Sequence, residues 1–283
     1  MTHRSDIEIT LIPEILLFYG FDPPEKIAPV TLGISNHNYF VTTPQDEFVV
    51  KFLINQPIKT VENDVAIQKS LANAGIGAPR YLCNRDGIFV FDRGHHRAVV
   101  SRRIHGVVPK MITLHLAREF GRMLAGFHLA VRYLPQPNTR GLMNPRTSGI
   151  KSPLFSQALP TGIIHGDFHT GNALVDLATQ ERIMAICDFE EAGENLYIVD
   201  LAVTVMGVCS YAENFMDVAL IREVIQGYES LRPLSAQEHM YFPEALEYAA
   251  HAWIQWFLAN EYETYARNHQ KRLETVMQIY NSN

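Results

Sequence analysis

The sequence predicts an α+β protein in two parts: a small antiparallel sheet lobe with one main helix, then a larger, mainly helical lobe. Three observations lead there. Short β-branched and aromatic runs crowd the first hundred residues, and the hydrophobic period turns helical after Gly106 and Pro109. The excess negative charge also lies wholly in the second part: residues 1–103 carry 11 Lys+Arg against 11 Asp+Glu, and residues 104–283 carry 13 against 19. The boundary is therefore expected between 103 and 104.

The elements follow in order. NYFVTT from Asn38, EFVVKFLI from Glu47, IFVF from Ile88 and AVVSRRI from Ala98 read as strands, bounded by turn stretches such as TPQD and NRDG. Between them, residues 61–74 place Val61, Val65, Leu71 and Ala72 on one side of a helix that Gly75 stops. In the second part, Thr113 is placed to cap a long helix whose apolar stripe runs Leu116, Phe120, Leu124, Phe127. Residues 135–160, with five prolines, read as loop and turns. ALVD from Ala173 and IMAICDF from Ile183 are short strands, and helices run from there to the end.

Composition narrows the function. With 283 residues, 47% of them apolar, the chain can bury a sizeable core. Cys83, Cys187 and Cys209 are odd in number and form no CxxC, so neither a disulfide framework nor a zinc knuckle is expected, and a reducing cytoplasm fits best. Asp6, Glu8 and Glu14 oppose a secretion signal at the start. The apolar run LYIVDLAVTVMGVC from Leu196 is too short for a membrane span and contains Asp200. A net charge of −6 argues against a nucleic-acid surface. A small-molecule ligand is the expected partner.

The stretch IIHGDFHTGN, residues 163–172, concentrates the chemistry. His165 and His169 are four apart, as in helical zinc motifs, but Gly166 and Gly171 oppose a helix, so the imidazoles need not converge. Asp167 and Asn172 suit another reaction. Phosphoryl transfer from ATP needs a carboxylate to orient the acceptor hydroxyl and oxygen ligands for magnesium. Asp167 supplies the first, and Asn172 with Asp188 of CDFEE, at the end of the next strand, supplies the second. The spacing DxxxxN matches the catalytic loop of protein kinases.

Such chemistry also needs a strand lysine paired with an acid on the sheet part's helix. Lys51 in FVVKFL sits in an otherwise apolar strand, and its partner is Glu62 or Asp64, which helical phase leaves open. Upstream, TLGISNHNYF can form a strand, turn and strand over phosphates, with Gly33 allowing close backbone approach. It is not a GxGxxG, and the chain contains no GxxxxGK[ST].

HGDFHTGN, CDFEEA, the lysine strand and GISNHNYF together resemble the aminoglycoside phosphotransferase and choline kinase superfamily, from about Gly33 to Trp256. Within it, SNHNYF, REFGRMLAGFHLA, NLYIVDLAVTVMGVC and YESLRPLSAQE are most similar to type II homoserine kinases. The resemblance implies a protein-kinase-like two-lobed fold that phosphorylates small-molecule hydroxyls with MgATP, homoserine being the first candidate acceptor. It implies Asp167 as base, Asn172 and Asp188 as magnesium ligands, Lys51 on the ATP α/β-phosphates and a structural His165. Glu190 stands where protein kinases carry the glycine of DFG, and this chain reads FLANEY after the second tryptophan, where the type II homoserine kinases it resembles tend to carry a Ser-Arg pair.

Other residues carry rival readings. Asp200 is expected as an N-cap or a partner of the catalytic loop rather than a metal ligand. Trp253, Trp256 and Phe257 are core at helical spacing, or an aromatic cage for a quaternary ammonium. Glu190, Glu191 and Glu194 read as a solvated turn, and the acidic second part would steer a cationic acceptor such as an aminoglycoside or choline. A homoserine carboxylate would instead want an arginine, for which Arg102, Arg103, Arg118 and Arg122 are available. A nucleotide-binding regulator without turnover is the reading from another class.

Overall fold

The computed structural model describes residues 2–30, 36–54, 56–135, 143–210 and 215–281. The chain divides into two compact units, one of residues 1–69 and 78–105, the other of residues 70–77 and 106–283. Both the α+β class and the contrast between a sheet-rich and a helical unit are present.

The first unit is a five-stranded antiparallel sheet ordered β1-β2-β3-β5-β4, from β1 (Lys26–Pro29), β2 (His37–Thr42), β3 (Glu47–Phe52), β4 (Phe91–Arg93) and β5 (His96–Arg102). Strand alternation sorts β3 between two layers. Phe48, Val50 and Phe52 join Ile12, Ile15, Leu16 and Tyr19 of helix α1 (Thr2–Tyr19) in one core. Leu53 and Val99 pack with Val61 of helix α2 (Ile58–Asn73) in the other. Lys51, which pairs with Val99 in register, therefore belongs to the α2 side.

Two expectations need correction. The unit has two helices, not one, because Ile12, Ile15, Leu16 and Tyr19 form a 3.6-period stripe around Pro13. The strand expected at IFVF begins only at Phe91, where pairing with Ala98 starts. Gly75 ends the α2 segment as expected, at φ +73°, with Ile76 N–H closing on Leu71 O at 2.8 Å.

The second unit is built on α3 (Leu114–Val131), α5 (Tyr197–Val208), α6 (Val218–Glu229), α7 (Ala236–Ala259) and α8 (Glu263–Asn281), with a short α4 (Pro145–Ser148). Thr113 caps α3, its side chain accepting from Leu116 N–H at 3.1 Å, and the whole expected stripe is buried. Helices α3 and α6 cross at contact distance because both carry glycine there. A Cβ on Gly121 would lie 1.9 Å from Val224 O, and one on Gly227 1.9 Å from Arg118 O. Two small antiparallel pairs complete the unit: β6 (Thr161–Ile164) with β9 (Gly193–Leu196), and β7 (Ala173–Val175) with β8 (Ile183–Ile186). β9, reading GENL, has no alternation that would mark it in sequence. Among the described residues no helix is long and apolar enough to cross a membrane.

Candidate active site

The polar stretch is the connection between these two strand pairs. β6 is buried at Ile163 and Ile164, and the chain then turns at Gly166, whose φ is +80° and where a Cβ would meet Glu191 O at 2.6 Å. A short 3-10 turn, Thr170–Asn172, follows, with His169 Nδ1 accepting from Gly171 N–H at 3.0 Å. Asn172 O then accepts from Cys187 N–H at 2.9 Å, extending the β7–β8 ladder by one rung. That rung brings Asp188 beside Asn172 from sixteen positions further along the chain. Asp188 itself sits at φ +66°, the left-handed region that a non-glycine residue occupies only where its surroundings hold it.

Asp167 and Asn172 are locked together. Asn172 Nδ2 donates to Asp167 O at 2.8 Å and to Asp167 Oδ2 at 2.9 Å, which assigns the amide's orientation and turns its oxygen away from Asp167. The other carboxylate oxygen, Asp167 Oδ1, is buried without a hydrogen-bond partner, His169 Nε2 lying 3.5 Å away. A buried carboxylate oxygen left so is costly, and a ligand hydroxyl is the kind of group that would satisfy it. Burial opposes a charge on His169, but the carboxylates of Asp167 and Asp188 outweigh it and raise the imidazole above its ordinary value.

Behind the loop is a buried polar core. Asp200 Oδ2 accepts from His165 N–H at 2.7 Å and Oδ1 from Gly166 N–H at 2.8 Å, and Oδ2 also receives His128 Nε2 at 2.8 Å. His128 Nδ1 in turn faces Tyr228 Oη at 2.8 Å. Burial alone would raise the Asp200 carboxyl, but the bonds from His128 and the loop amides hold it below the usual carboxylate range. Burial pushes His128 and His165 below the ordinary imidazole value, against the pull of the Asp200 carboxylate. His165 Nε2 donates to Cys187 O at 3.0 Å and Nδ1 accepts from Asp167 N–H at 3.3 Å. Both of its nitrogens are thus engaged with protein, which leaves none for the zinc reading.

The predicted residues fall as follows. Asp167, Asn172 and Asp188 come together in the second unit. Lys51 and Asp64 lie in the first unit, buried at 9% and 1% exposure, while Glu62 is exposed. Lys51 is the only buried lysine or arginine among the described residues. Asp64 Oδ2 accepts from Gln56 Nε2 at 2.8 Å. Gly33 and its turn lie outside the described residues. Asp200 is a loop partner rather than an N-cap, since Leu196 precedes the first turn of α5.

The four arginines nominated for an acceptor carboxylate are all committed elsewhere: Arg102 to Asp46, Arg103 to Glu47, Arg118 to Glu223 and Arg122 to Glu119. Trp253 stacks on Phe257 at 5.2 Å and Trp256 on Tyr262 at 6.0 Å, joining α7 to the start of α8, and Trp253 also meets His169 edge-on at 6.3 Å. Sequence reasoning assigns no role to His128 or Tyr228, although both lie in the stretches REFGRMLAGFHLA and YESLRPLSAQE that carry the resemblance.

The oxygen-rich set of Asn172 and Asp188 suits a hard divalent cation such as magnesium better than zinc. Among the described residues no group of three or more His, Cys, Asp or Glu side chains is placed to hold a metal ion.

The chain is similar to known proteins over most of its length. The chain is 28% identical over 267 residues to a homoserine kinase of Cupriavidus pinatubonensis, covering 83% of this chain and 81% of that one. It is 25% identical over 283 residues to a homoserine kinase of Pseudomonas aeruginosa, covering 91% and 87%. Among solved structures, an amicoumacin kinase in complex with AMP-PNP, Ca2+ and its antibiotic superposes with a TM-score of 0.75 at 16% identity, over 97% of this chain and 96% of that one. A microcompartment-associated aminopropanol kinase gives 0.68 at 19% identity, over 92% and 95%. The profile of the phosphotransferase enzyme family matches residues 26–234, well over half of the chain. With its loop of Asp167, Asn172 and Asp188 inside that match, the chain belongs to the phosphotransferase enzyme family.

Proposed function

We propose that the protein transfers the γ-phosphoryl group of ATP to the hydroxyl of a small molecule, homoserine first, giving O-phosphohomoserine. The observation that carries this reading is Asp167: one carboxylate oxygen is fixed by Asn172, and the other is buried with no hydrogen bond from the protein, its nearest cationic group, His169 Nε2, standing 3.5 Å away. Asp167 Oδ1 accepts the acceptor's hydroxyl hydrogen, orients its oxygen and takes the proton as transfer proceeds. Asn172, through its amide oxygen, and Asp188 would hold magnesium, which when bound neutralises charge on the transferring phosphates. Lys51 binds the α/β-phosphates. A buried ammonium needs a buried counter-charge, and Asp64, on the helix that covers the same side of the sheet, is the acid suited to it rather than exposed Glu62.

Homoserine is favoured by the homoserine kinase relatives, which align over most of the chain. The acidic second part favours a cationic acceptor, as do neighbours that act on aminopropanol and antibiotics. ADP release with MgATP over a panel of homoserine, choline, aminoglycosides and a protein mixture separates these. Stimulation by homoserine alone is expected. Stimulation by a cationic acceptor alone would overturn the assignment of acceptor, and nucleotide binding with no stimulation at all would mean a regulator without turnover.

The metal assignment has its own test. Asp188→Ala should weaken magnesium-dependent nucleotide binding by about tenfold or more while leaving metal-free binding unchanged. An unaltered magnesium titration, followed by calorimetry, would remove Asp188 from the ligand set.

A further inference from the structure

Two buried titratable side chains, His128 and Tyr228, have no part in the chemistry above. They come from helices a hundred residues apart in sequence, brought into contact where α3 and α6 cross at Gly121 and Gly227. His128 is 1% exposed and Tyr228 fully buried, so every polar atom of the pair must find a partner inside the protein.

The geometry fixes the proton on the ring nitrogen that faces Asp200. Asp200 is an acceptor on both oxygens, taking the N–H groups of His165 at 2.7 Å and Gly166 at 2.8 Å. The ring nitrogen facing it at 2.8 Å, His128 Nε2, must therefore carry the proton. Nδ1 is then a bare lone pair, and Tyr228 Oη, 2.8 Å away, donates to it. The opposite tautomer would set the Nε2 lone pair against a carboxylate oxygen. A doubly protonated ring would put a charge where burial opposes it.

We propose that Tyr228 is a positioning residue for Asp167: by donating a hydrogen bond to His128 Nδ1 it keeps the imidazole proton on Nε2, where it anchors the Asp200 carboxylate that holds the His165 and Gly166 amides. Asp167 follows directly, and its own N–H is received by His165 Nδ1 at 3.3 Å. Tyr228 touches no reacting atom and acts at three removes. Arg232, paired with Glu238 at 2.8 Å and lying over the rings of Tyr197 and Tyr228, fastens the phenol in place. The inference rests on the phosphotransfer reading only for its effect on turnover.

The test begins with the unaltered protein. Histidine labelled with 15N should show His128 protonated at Nε2 and bare at Nδ1, and a proton found on Nδ1 overturns the proposal. In Tyr228→Phe, amide hydrogen exchange at His165, Gly166 and Asp167 should quicken by about tenfold, the scale of one lost hydrogen bond, with α3 and α6 elsewhere unchanged. Turnover should fall by a similar factor, with the KM for nucleotide unmoved. Exchange that rises evenly along α3 and α6, or not at all at the loop, would reduce Tyr228 to packing.

In a His128→Gln background no tautomer remains to be set, so Tyr228→Phe should add nothing, whereas additive losses would break the link. Silence of the wild-type protein toward every acceptor counts against the phosphotransfer reading, whereas the tautomer and exchange results decide the role of Tyr228 by themselves.

Discussion

Asp167→Ala is expected to lower turnover by about 10²- to 10⁴-fold, the range that a positioned general base contributes, while MgATP affinity stays within about twofold. The separation of the two follows from the geometry. Asp167 is bound to Asn172 through both its backbone oxygen and Oδ2, and the backbone bond survives in the alanine variant. Asn172 therefore keeps its place and its oxygen orientation, and the proposed magnesium ligands stay where they are. What disappears is the buried Oδ1, the atom without a hydrogen-bond partner in the protein. Steady-state ADP release together with nucleotide titration checks this. Loss of both together would show that Asp167 serves to hold the loop, and the assignment of a base would fall.

Asp200→Ala should produce a large loss of stability in the second unit. It strips three buried donors of their acceptor at once: His165 N–H, Gly166 N–H and His128 Nε2–H. Removing one side of a buried, charge-assisted network costs about 3–5 kcal/mol, which in a unit of this size lowers the midpoint of thermal unfolding by roughly 6–20 °C. Asp200→Asn does not repair it, because its amide hydrogens can meet only other donors on one side. Thermal denaturation followed by circular dichroism measures the effect. A midpoint within about 2 °C of wild type would mean that the network is satisfied by other groups and does not hold the loop.

How much of this was legible in sequence depended on chain distance. The Asp167–Asn172 bond links residues five apart, so the spacing already put both residues on one loop, although the bond itself is seen only in the structure. The strand after it could be read from ALVD and IMAICDF, and the ladder between them carries Asp188 back to Asn172. By contrast, Asp200 is 35 positions from His165 and 72 from His128, and nothing local marks those contacts. An aspartate in the first turn of an apolar helix reads equally as a cap or as a partner of the catalytic loop, and only the folded loop decides for the second.

The same limit governed the smaller differences. The choice between Glu62 and Asp64 turned on the rotation of α2, whose buried stripe runs Val61, Asp64, Gln68, Leu71. Two polar residues in that stripe hid its phase from a hydrophobicity count. The four arginines read as free cations because their partners are mostly remote: Asp46 is 56 positions from Arg102, and Glu223 is 105 from Arg118. Helix α1 was passed over because its stripe carries Pro13 and because isolated apolar spacing does not say what it will be buried against.

The sequence by itself determined the α+β class, the lysine strand, the cap of α3 and the loop of Asp167 and Asn172, because propensity, period and short spacing act within a few residues of chain. Only the tertiary structure decided which acid of α2 is buried, which arginines are already paired, and that Tyr228, His128 and Asp200 lie in line behind the loop. Those facts depend on where helices cross. A crossing is settled by close contacts such as those at Gly121 and Gly227, between surfaces that the chain leaves a hundred residues apart.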